Sequence, residues 1–492
     1  MIDVFRSLIP ALFFVQTCPI RVRAFVARTD PKGTLVDLAD RDRRLTRAEA
    51  LVPDLAARGV VAVATSFVDN AGISRVKAVP LDRLPALAAW GVGFSTAFDY
   101  FRFDDWVAAP PGGQAPVGDQ RIVPDLDRLV VLAAQPGWAW APGDRFAQTG
   151  DPYALDSRLL LGRLVDDLAS RNINVLSAIE IEWVVSTDPE EYVPGAVGPA
   201  YGLTRLTNAS DYSRDVLTAL AEQGVAVEQF HPEYAAGQLE LSVAPESPVH
   251  SADTSVLVRA TIRAVGVRHG LRTSFSPKVD AAGVGNGGHV HLSLGRDERN
   301  LMAGGSGTFG LTDEATAFAG GILEHLPALL AVGAPSVASY LRLVPQHWAG
   351  AYACWGLENR EAALRMVTGS RGSEDWAANL EVKCFDLHAN PYLMLAGLLA
   401  AGTAGLDAGT SLPEPVDVDP ASLDEEALAG RGIRRLPTSL RESTDAFMAD
   451  GVLGAAFGEP LVGAITAVRE SELELFDGTS AEDVAAASRW AH

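Results

Sequence analysis

Residues 179–183 read Ile-Glu-Ile-Glu-Trp, and the same alternation of apolar with acidic or imidazole residues recurs three times along the chain. The other segments are Gln-Leu-Glu-Leu (238–241), His-Val-His-Leu-Ser (289–293) and Leu-Glu-Val-Lys (380–383). Since alternate side chains of a strand share a face, each segment predicts a strand with one apolar and one polar face. Clustered buried carboxylates repel one another and take up protons unless a cation compensates them. The pattern predicts an enzyme that holds more than one divalent metal ion on the polar face of a sheet.

The composition and charge limit the classes of protein that fit. The 492 residues are 48% hydrophobic and 21% charged, a balance typical of a folded globular chain. The formal net charge of −22 comes without a basic stripe, so no nucleic-acid partner is expected. The three cysteines, Cys18, Cys354 and Cys384, form no CxxC pair, so neither a disulfide framework nor a thiolate metal site is indicated. This favours a protein of the reducing cytoplasm.

The N-terminal residues have a weak likeness to a targeting segment. Residues 8–15 are apolar, but Pro10 interrupts them and Asp3 spoils the basic flank of a signal peptide. The run is also too short to span a bilayer. We therefore expect residues 1–23 to be a poorly ordered extension, and we expect no membrane partner.

Two regions with different element patterns follow this extension. Between residues 24 and about 120, short strands at 60–64 and 76–79 flank a turn, and residues 81–90 are typical of a helix. From residue 151 onward, strands alternate with helical segments at 159–170, 212–223, 255–269 and 318–332. Helices between strands that share a polar face predict an α/β or α+β layer with the helices on the apolar side.

Each motif also has an interpretation without catalysis. Glu180 and Glu182 on one strand face are most often a solvated edge, and a histidine such as His289 is often a hydrogen-bonded core residue. One imidazole among carboxylates favours Mg²⁺ or Mn²⁺ over Zn²⁺. Three arginines offer rigid forks for phosphate or carboxylate oxygens, although each alone is equally compatible with a surface ion pair: Arg342, Arg360 and Arg365.

Taken together and in this order, the motifs resemble those of the glutamine synthetase family. The matching blocks are Glu-Ile-Glu (180–182), Glu-Gln-Phe-His-Pro-Glu (228–233), Gln-Leu-Glu (238–240), Gly-His-Val-His-Leu-Ser (288–293), Arg-Leu-Val-Pro (342–345), 359–365 and 381–393. The resemblance covers about residues 24–485. It implies an α+β fold with a small N-terminal β-grasp domain at 24–125 and a large catalytic domain at 126–492. In the catalytic domain a curved antiparallel sheet would line the active site, with helices outside.

The resemblance also implies a role for each matched position. One divalent ion would be held by Glu182, Glu233 and Glu240, and a second by Glu180, His289 and Glu381, in a site for two or three Mg²⁺ or Mn²⁺ ions. ATP would contact Glu228, His291, Ser293 and Arg365, and the transferring phosphate would contact Arg360 and Arg365. Glutamate would contact Glu182, Gly285, His289, Arg342 and Lys383. The expected assembly is a homo-oligomer, a dodecamer of two stacked hexameric rings with active sites between neighbouring subunits.

The implied reaction has two steps. ATP phosphorylates the γ-carboxylate of glutamate to γ-glutamyl phosphate, because a free carboxylate is a poor electrophile. The metal ions and arginines neutralise charge on the transferring group. An uncharged amine then attacks the acyl phosphate and expels phosphate.

The amine pocket departs from the family pattern. Ammonia-using members follow Arg-Leu-Val-Pro with Gly-Tyr-Glu, whereas this chain has Gln346, His347 and Trp348. Ser95 and Thr96 also stand where the family has an N-terminal aspartate. Without both anionic groups little would select ammonium, whereas the Trp348 indole offers an apolar face for an alkyl or aryl amine. His347 is a candidate base for an amine that arrives protonated.

The site for the acid substrate also departs from the family pattern. Lys383 stands where the family has arginine, which keeps the charge but loses the bidentate fork. Asn379 replaces another arginine, and Val284 replaces an asparagine near the glutamate amino group.

The sequence therefore predicts an ATP-dependent ligase that joins the γ-carboxylate of glutamate to an organic amine, namely an alkylamine, an arylamine or a polyamine. One alternative is a true glutamine synthetase that uses ammonium. Another is a non-catalytic regulatory relative, although a complete set of metal ligands would then have no physical purpose.

Overall fold

A mixed sheet forms the N-terminal part of the described structure. The computed structural model describes residues 37–109 and 118–492, all within one compact unit, Gly33–His492, so the predicted extension at 1–23 lies outside the described residues. The sheet consists of β1 (Ala62–Val68), β2 (Ser74–Pro80), β3 (Val92–Ser95), β4 (Asp119–Pro124), β5 (Val130–Val131) and β6 (Trp138–Ala147). Its order is β2-β1-β6-β4-β3 with β5 beside β6, and its neighbours are antiparallel except for β1 and β6.

Two helices pack on this sheet, α1 (Leu38–Ala57) and α2 (Leu84–Trp90). Leu55 of α1 and Leu84 of α2 join Val63 of β1 in one buried cluster. The predicted strands at 60–64 and 76–79 and the predicted helix at 81–90 are thereby confirmed, with a 3₁₀ turn at its start (Leu81–Arg83). The sheet continues to Ala147, beyond residue 125, and the division into domains stays a prediction.

The rest of the chain alternates strands and helices. The strands are β7 (Asn174–Ile179), β8 (Ile181–Ser186), β9 (Val227–Pro232), β10 (Gln238–Val243), β11 (Arg272–Ser274), β12 (Val290–Arg296), β13 (Arg299–Asn300), β14 (Tyr352–Leu357), β15 (Ala362–Val367), β16 (Asn379–Val382) and β17 (Arg434–Arg435). The helices are α3 (Ser157–Ser170), α4 (Leu203–Asn208), α5 (Ser210–Glu222), α6 (Pro248–Arg268), α7 (Asp313–Gly333), α8 (Ser339–Arg342), α9 (Glu374–Ala377), α10 (Pro391–Ala408), α11 (Glu425–Gly430), α12 (Leu440–Ala449), α13 (Gly451–Phe457), α14 (Glu459–Leu475) and α15 (Ala481–Ser488).

These strands form two sheets that meet at one residue. The smaller sheet has the order β11-β8-β10-β9, and the larger has β13-β12-β16-β15-β14-β17 with β7 beside β12. Because β7 ends at Ile179 and β8 begins at Ile181, Glu180 lies at the junction, where its N–H donates to the His289 carbonyl (2.9 Å). The four quoted segments thus belong to two adjoining sheets. All their strand pairs are antiparallel except β14 with β15.

The alternation of side chains along these strands is as predicted. Ile181, Leu239, Val290 and Leu380 are fully buried in one large core cluster. The acidic and imidazole residues between them lie on the opposite face, and this face is the polar one the sequence predicts. The predicted α+β fold, with a curved, mainly antiparallel sheet surface and helices outside it, is confirmed.

Two helices on the apolar side, α7 and α10, have the length and apolar composition needed to cross a membrane. The pair α13 and α14, which is bent by 110°, also has them if it is taken as one span. Most of α7 and of α10 is buried inside the structure. A Cβ at Gly321 of α7 would lie 2.7 Å from the Cα of Gly405 in α10, so the two backbones touch. Their apolar composition is explained by this close contact in the core.

The start of α10 connects the N-terminal sheet to the rest of the chain. Asn390 caps the helix, since its side-chain oxygen accepts from the N–H of Tyr392 (2.9 Å), and Pro391 occupies the first turn. The Asn390 amide nitrogen donates to the carbonyl of Val68 at the end of β1 (2.9 Å). This one side chain thereby fixes both the helix start and the neighbouring strand end.

Candidate active site

The first cluster of the site contains Glu180, His289 and Glu381. Each offers one ligand atom, and these atoms lie within 4.8 Å of one another. His289 Nδ1 is 2.9 Å from Glu180 Oε2 and 3.5 Å from Glu381 Oε1. The sequence predicts these three as one metal-ligand set, and the fold brings them together from the sheet junction, the start of β12 and β16.

Glu381 is the most heavily compensated carboxylate of this cluster. It is 2% exposed, its Oε1 accepts from Lys383 Nζ (3.0 Å) and its Oε2 accepts from Arg365 Nη1 (2.9 Å). Burial alone would raise its pKa, but the charge of Lys383 and the neighbouring imidazoles His291 and His289 lower the pKa to about 2. These neighbouring positive charges therefore favour the ionised form of Glu381.

His291 completes the cluster on the side of the sheet junction. Its Nε2 is 3.2 Å from Glu180 Oε1, and its Nδ1 is 2.8 Å from the side-chain oxygen of Asn379. Burial opposes protonation, yet the charge of Glu180 raises the pKa of His291 to about 9. The side-chain oxygen of Asn379 therefore orients the His291 ring.

The second cluster contains His231, Glu233 and Glu240, whose ligand atoms also lie within 4.8 Å of one another. His231 and Glu240 are cross-strand partners on β9 and β10, and His231 Nε2 is 3.3 Å from Glu240 Oε1. Glu233 follows β9 directly, with its Oε1 3.7 Å from His231 Nδ1. The hydrogen bond to Glu240, although partly opposed by burial, raises the pKa of His231 to about 9.

Glu182 lies between the two clusters. It pairs across the strands with Glu240, so His231, Glu240 and Glu182 form one row over three strands. Its Oε2 accepts from the Gly287 N–H (2.8 Å), and its Oε1 is 3.8 Å from His289 Nε2. Burial, reinforced by nearby carboxylates, raises its pKa to about 7, although Arg342 opposes the shift.

Arg342 lies beneath these groups with an unused donor. It is 5% exposed, and its Nη2 donates to His289 Nε2 (3.1 Å) and to the Lys383 carbonyl (3.1 Å). Its Nη1 is buried and has no hydrogen-bond partner among the described residues. Since a buried guanidinium donor without a partner is costly, this nitrogen fits an anionic ligand.

The glycine loop at 285–288 packs directly against these groups. A Cβ at Gly285 would lie 2.7 Å from Arg342 Cγ, and one at Gly287 would lie 2.5 Å from His289 Nε2. Both positions therefore exclude any side chain. Gln238, which the sequence analysis did not single out, supports the loop because its Nε2 donates to Glu182 Oε2 (3.0 Å) and to the Gly285 carbonyl (3.0 Å).

The loop at 346–348 presents a tryptophan to solvent. Trp348 is 50% exposed, and the Arg360 guanidinium lies 5.7 Å from the centre of its ring. His347 is also exposed, and its Nδ1 lies 3.0 Å from the Pro345 carbonyl of its own loop. No contact of His347 with either cluster is found among the described residues, so its role as a base stays a prediction.

Three further predicted site residues have no contact with either carboxylate cluster in the described structure. Ser293 is half-buried on β12, on the same side of the strand as His291. Glu228 is exposed on β9, and Arg360 is exposed before β15. Arg365, in contrast, lies inside the site, bonded to Glu381 and to Glu358, and its Nε is buried without a partner.

The ligand atoms of the two clusters and of Glu182 indicate which cation would bind there. Five carboxylates and a few imidazoles offer mainly oxygen ligands, which is typical of Mg²⁺ or Mn²⁺ sites. The unpartnered donors of Arg342 and Arg365 lie beside these carboxylates and suit anionic ligands. The fold and the site thus define a metal-dependent enzyme that acts on anionic substrates.

Comparisons with known proteins identify the family. The glutamine synthetase catalytic domain matches residues 154–485. The chain is 54% identical to gamma-glutamylpolyamine synthetase GlnA3 of Streptomyces coelicolor over 454 residues, which is 92% of this chain and 97% of that protein. It is 30% identical to the glutamine synthetase of Pyrococcus abyssi over 403 residues, 80% of this chain and 86% of that protein. A crystal structure described as a novel glutamine synthase homolog superposes with a TM-score of 0.77 at 33% identity, covering 87% of this chain and 97% of that one.

The chain belongs to the glutamine synthetase family, which confirms the resemblance drawn from its motifs. It is a carbon–nitrogen ligase that uses ATP and divalent metal ions.

Proposed function

We propose that this enzyme joins the γ-carboxylate of glutamate to an organic amine of the polyamine class through γ-glutamyl phosphate. The observation that carries the proposal is the half-exposed Trp348, which stands in the sequence where the ammonia-using members have their ammonium-binding glutamate, while the carboxylates of both clusters are present. The high identity to a protein named for polyamine ligation supports the same substrate class.

The metal ions are assigned to the two clusters. We propose that Glu180, His289 and Glu381 hold one ion and that Glu182, Glu233 and Glu240 hold another, with His231 beside the second. The oxygen-rich donors fit this role, and bound divalent cations would neutralise charge on the phosphate groups of ATP. A third ion, and the choice between Mg²⁺ and Mn²⁺, belong to the same proposal.

The residues around the clusters handle the substrates. The buried fork of Arg342, with the carbonyl and N–H groups of the 285–288 loop, is placed to hold glutamate, and Lys383 adds a positive charge next to Glu381. Arg365 and Arg360 neutralise the transferring phosphoryl group, and Glu228, His291 and Ser293 lie on the strands assigned to ATP. The Trp348 face excludes water and packs against the methylene groups of the amine.

The assembly and location of the enzyme follow from the same proposal. We expect a dodecamer of two hexameric rings in the cytoplasm. Light scattering coupled to size-exclusion chromatography measures the mass of the assembly directly.

A substrate panel tests the proposed function. Phosphate release is measured with ATP, Mg²⁺ and glutamate together with ammonium, putrescine, spermidine, ethanolamine, isopropylamine or aniline. We expect kcat/KM for a polyamine to exceed that for ammonium by at least about tenfold. Position 348 has a tryptophan where the ammonia-using members have a glutamate, so the carboxylate that binds ammonium is missing there. Comparable activity with ammonium would reject the proposal in favour of a glutamine synthetase, and no turnover with any amine would favour a regulatory protein.

Trp348→Ala is expected to raise the KM for polyamines about 30-fold, because removing a tryptophan contact typically loses about 2 kcal/mol of binding. The KM values for ATP and glutamate should change little, since Trp348 has no contact with either cluster among the described residues. Steady-state kinetics with one varied substrate at a time checks this. The control is Trp376→Ala, which removes another exposed tryptophan. An equal rise of the KM values for polyamine, ATP and glutamate in Trp348→Ala would contradict the assignment.

Cation binding is expected to stabilise the protein more at pH 8 than at pH 6. Burial raises the pKa of Glu182 and Glu240 to about 7, above the ordinary value of 4.5. Without a cation, protons on these two carboxylates stabilise the folded state relative to the unfolded state. This stabilisation is fully present below pH 4.5 and is lost as the pH rises from 4.5 through 7. At pH 8 a cation meets two ionised carboxylates, whereas at pH 6 it must first displace protons.

The measurement is the melting temperature with and without saturating Mg²⁺ at the two pH values. A rise of several degrees at pH 8 and a smaller rise at pH 6 is expected. Glu240→Gln should reduce the difference between the two pH values, and an equal rise at both in the unmodified protein would count against these ligands.

A further inference from the structure

We propose that Glu361 is a positioning residue that holds the loop at 346–348 in the conformation that presents Trp348 to the amine. The proposal rests on the function proposed above and adds to it a determinant of amine selectivity. Glu361 is neither one of the residues matched to the family's site nor a member of either carboxylate cluster.

The contacts of Glu361 are specific to this loop. Its side chain is buried, with the residue only 7% exposed, and both carboxylate oxygens accept backbone hydrogen bonds. Oε1 accepts from the N–H of Trp348 (2.9 Å), and Oε2 accepts from the N–H of Gln346 (3.2 Å). Two backbone donors on alternate residues of one loop thus converge on a single carboxylate.

The loop needs such a support because of its backbone conformation. Gln346 has a φ of 64° and Trp348 a φ of 54°, so two residues with side chains occupy the left-handed region. That region brings Cβ close to the following carbonyl oxygen and is disfavoured for every residue except glycine. A conformation of this kind persists only where its surroundings impose it, and the carboxylate of Glu361 imposes it at both positions.

Glu361 is itself fixed within the segment before β15 that contains Arg360. Its own N–H donates to the side-chain oxygen of Asn359 (3.0 Å), and the Asn359 amide donates to the carbonyl of Val416 (2.8 Å). Arg360, between these two residues, lies 5.7 Å from the Trp348 ring. The loop that faces the amine is therefore attached through Glu361 to the segment that faces the phosphoryl group.

The consequence is selectivity between large and small nucleophiles. A long amine needs the Trp348 ring in one place, because its methylene groups pack on the indole face. A small nucleophile such as hydroxylamine needs only the acyl phosphate and does not depend on the ring. Loosening the loop should therefore impair polyamine transfer and leave hydroxylamine transfer almost unchanged.

Glu361→Gln tests this directly. An amide has one acceptor oxygen and presents an NH₂ group to the second N–H, so one of the two hydrogen bonds is lost. We expect kcat/KM for putrescine to fall about tenfold or more, while kcat/KM for hydroxylamine changes by less than about twofold. Combining it with Gln346→Gly should restore part of the putrescine activity, since glycine adopts a left-handed conformation without strain.

The control is Glu442→Gln. This carboxylate also accepts a backbone hydrogen bond, from Thr438 (2.8 Å), but it lies in the C-terminal helices, and its substitution should leave both activities unchanged. Glu361→Asp, which reaches only one of the two donors, provides a milder variant if Glu361→Gln does not fold. An unchanged ratio of the two activities, or an equal fall in both, would overturn the positioning role. Absence of any amine-dependent turnover in the unmodified enzyme would instead reject the proposed function.

Discussion

Replacing Glu381 by glutamine is expected to lower the rate of ATP-dependent phosphate release about 10³-fold. The side chain is buried and bonded to both Lys383 Nζ (3.0 Å) and Arg365 Nη1 (2.9 Å), with His289 Nδ1 at 3.5 Å. A neutral amide leaves the buried Lys383 and the half-buried Arg365 with one acceptor oxygen between them and turns an NH₂ group toward one of the two cations. Removing one partner of a buried ion pair costs about 3–5 kcal/mol, and about 4 kcal/mol in a reaction barrier corresponds to three powers of ten.

The effect should reside in kcat more than in KM. In the proposed site, Glu381 orders the charges that would face the transferring phosphoryl group, and such charges act most strongly in the transition state. Phosphate release at saturating ATP, glutamate and amine measures it, with the melting temperature recorded to confirm that the variant is folded. The matched control is Glu414→Gln, an exposed glutamate outside the site. A variant that is folded and keeps more than a tenth of the activity would remove Glu381 from the proposed cage.

Side-chain alternation explains why much of the site was predictable from the sequence. Because side chains alternate along a strand, Glu180 and Glu182 lie on the face opposite Ile181. His291 lies on the face opposite Val290 and Leu292 for the same reason. These assignments need no tertiary information, because burial of the apolar face orients the polar one. The sequence alone does not reveal that Glu180 lies at a junction between two sheets, since that depends on where β7 stops pairing with β12 and β8 begins to pair with β10.

The roles of residues that act through strand register or through hydrogen bonds to neighbouring groups were not predicted. His231 faces Glu240 because of the pairing between β9 and β10, and the alternation of His231 with Glu233 was the one local signal for it. Asn379 and Gln238 act through hydrogen bonds to His291 and Glu182, which no spacing rule indicates. No local pattern indicates the role of Glu361, because its partners are main-chain N–H groups of the loop before β14.

Arg342→Lys is expected to raise the KM for glutamate about 100-fold. Nη2 of Arg342 donates to His289 Nε2 (3.1 Å) and to the Lys383 carbonyl (3.1 Å), while Nη1 is buried and has no partner in residues 37–109 and 118–492. The planar fork allows both functions at once. A lysine has one charged nitrogen, so it must give up either the contact with His289 or the contact with the ligand.

The expected loss corresponds to a charge-assisted hydrogen bond of about 2–3 kcal/mol, that is, roughly 30- to 150-fold in affinity. The KM for ATP should remain within about threefold, because the strand positions assigned to ATP do not contact Arg342 in the described part of the chain. Arg431→Lys makes the same chemical change at an exposed arginine, and it should leave every kinetic constant unaltered. If the glutamate KM of Arg342→Lys matched that of the control, the free nitrogen would have no carboxylate to bind, and the acid substrate would have to be held elsewhere.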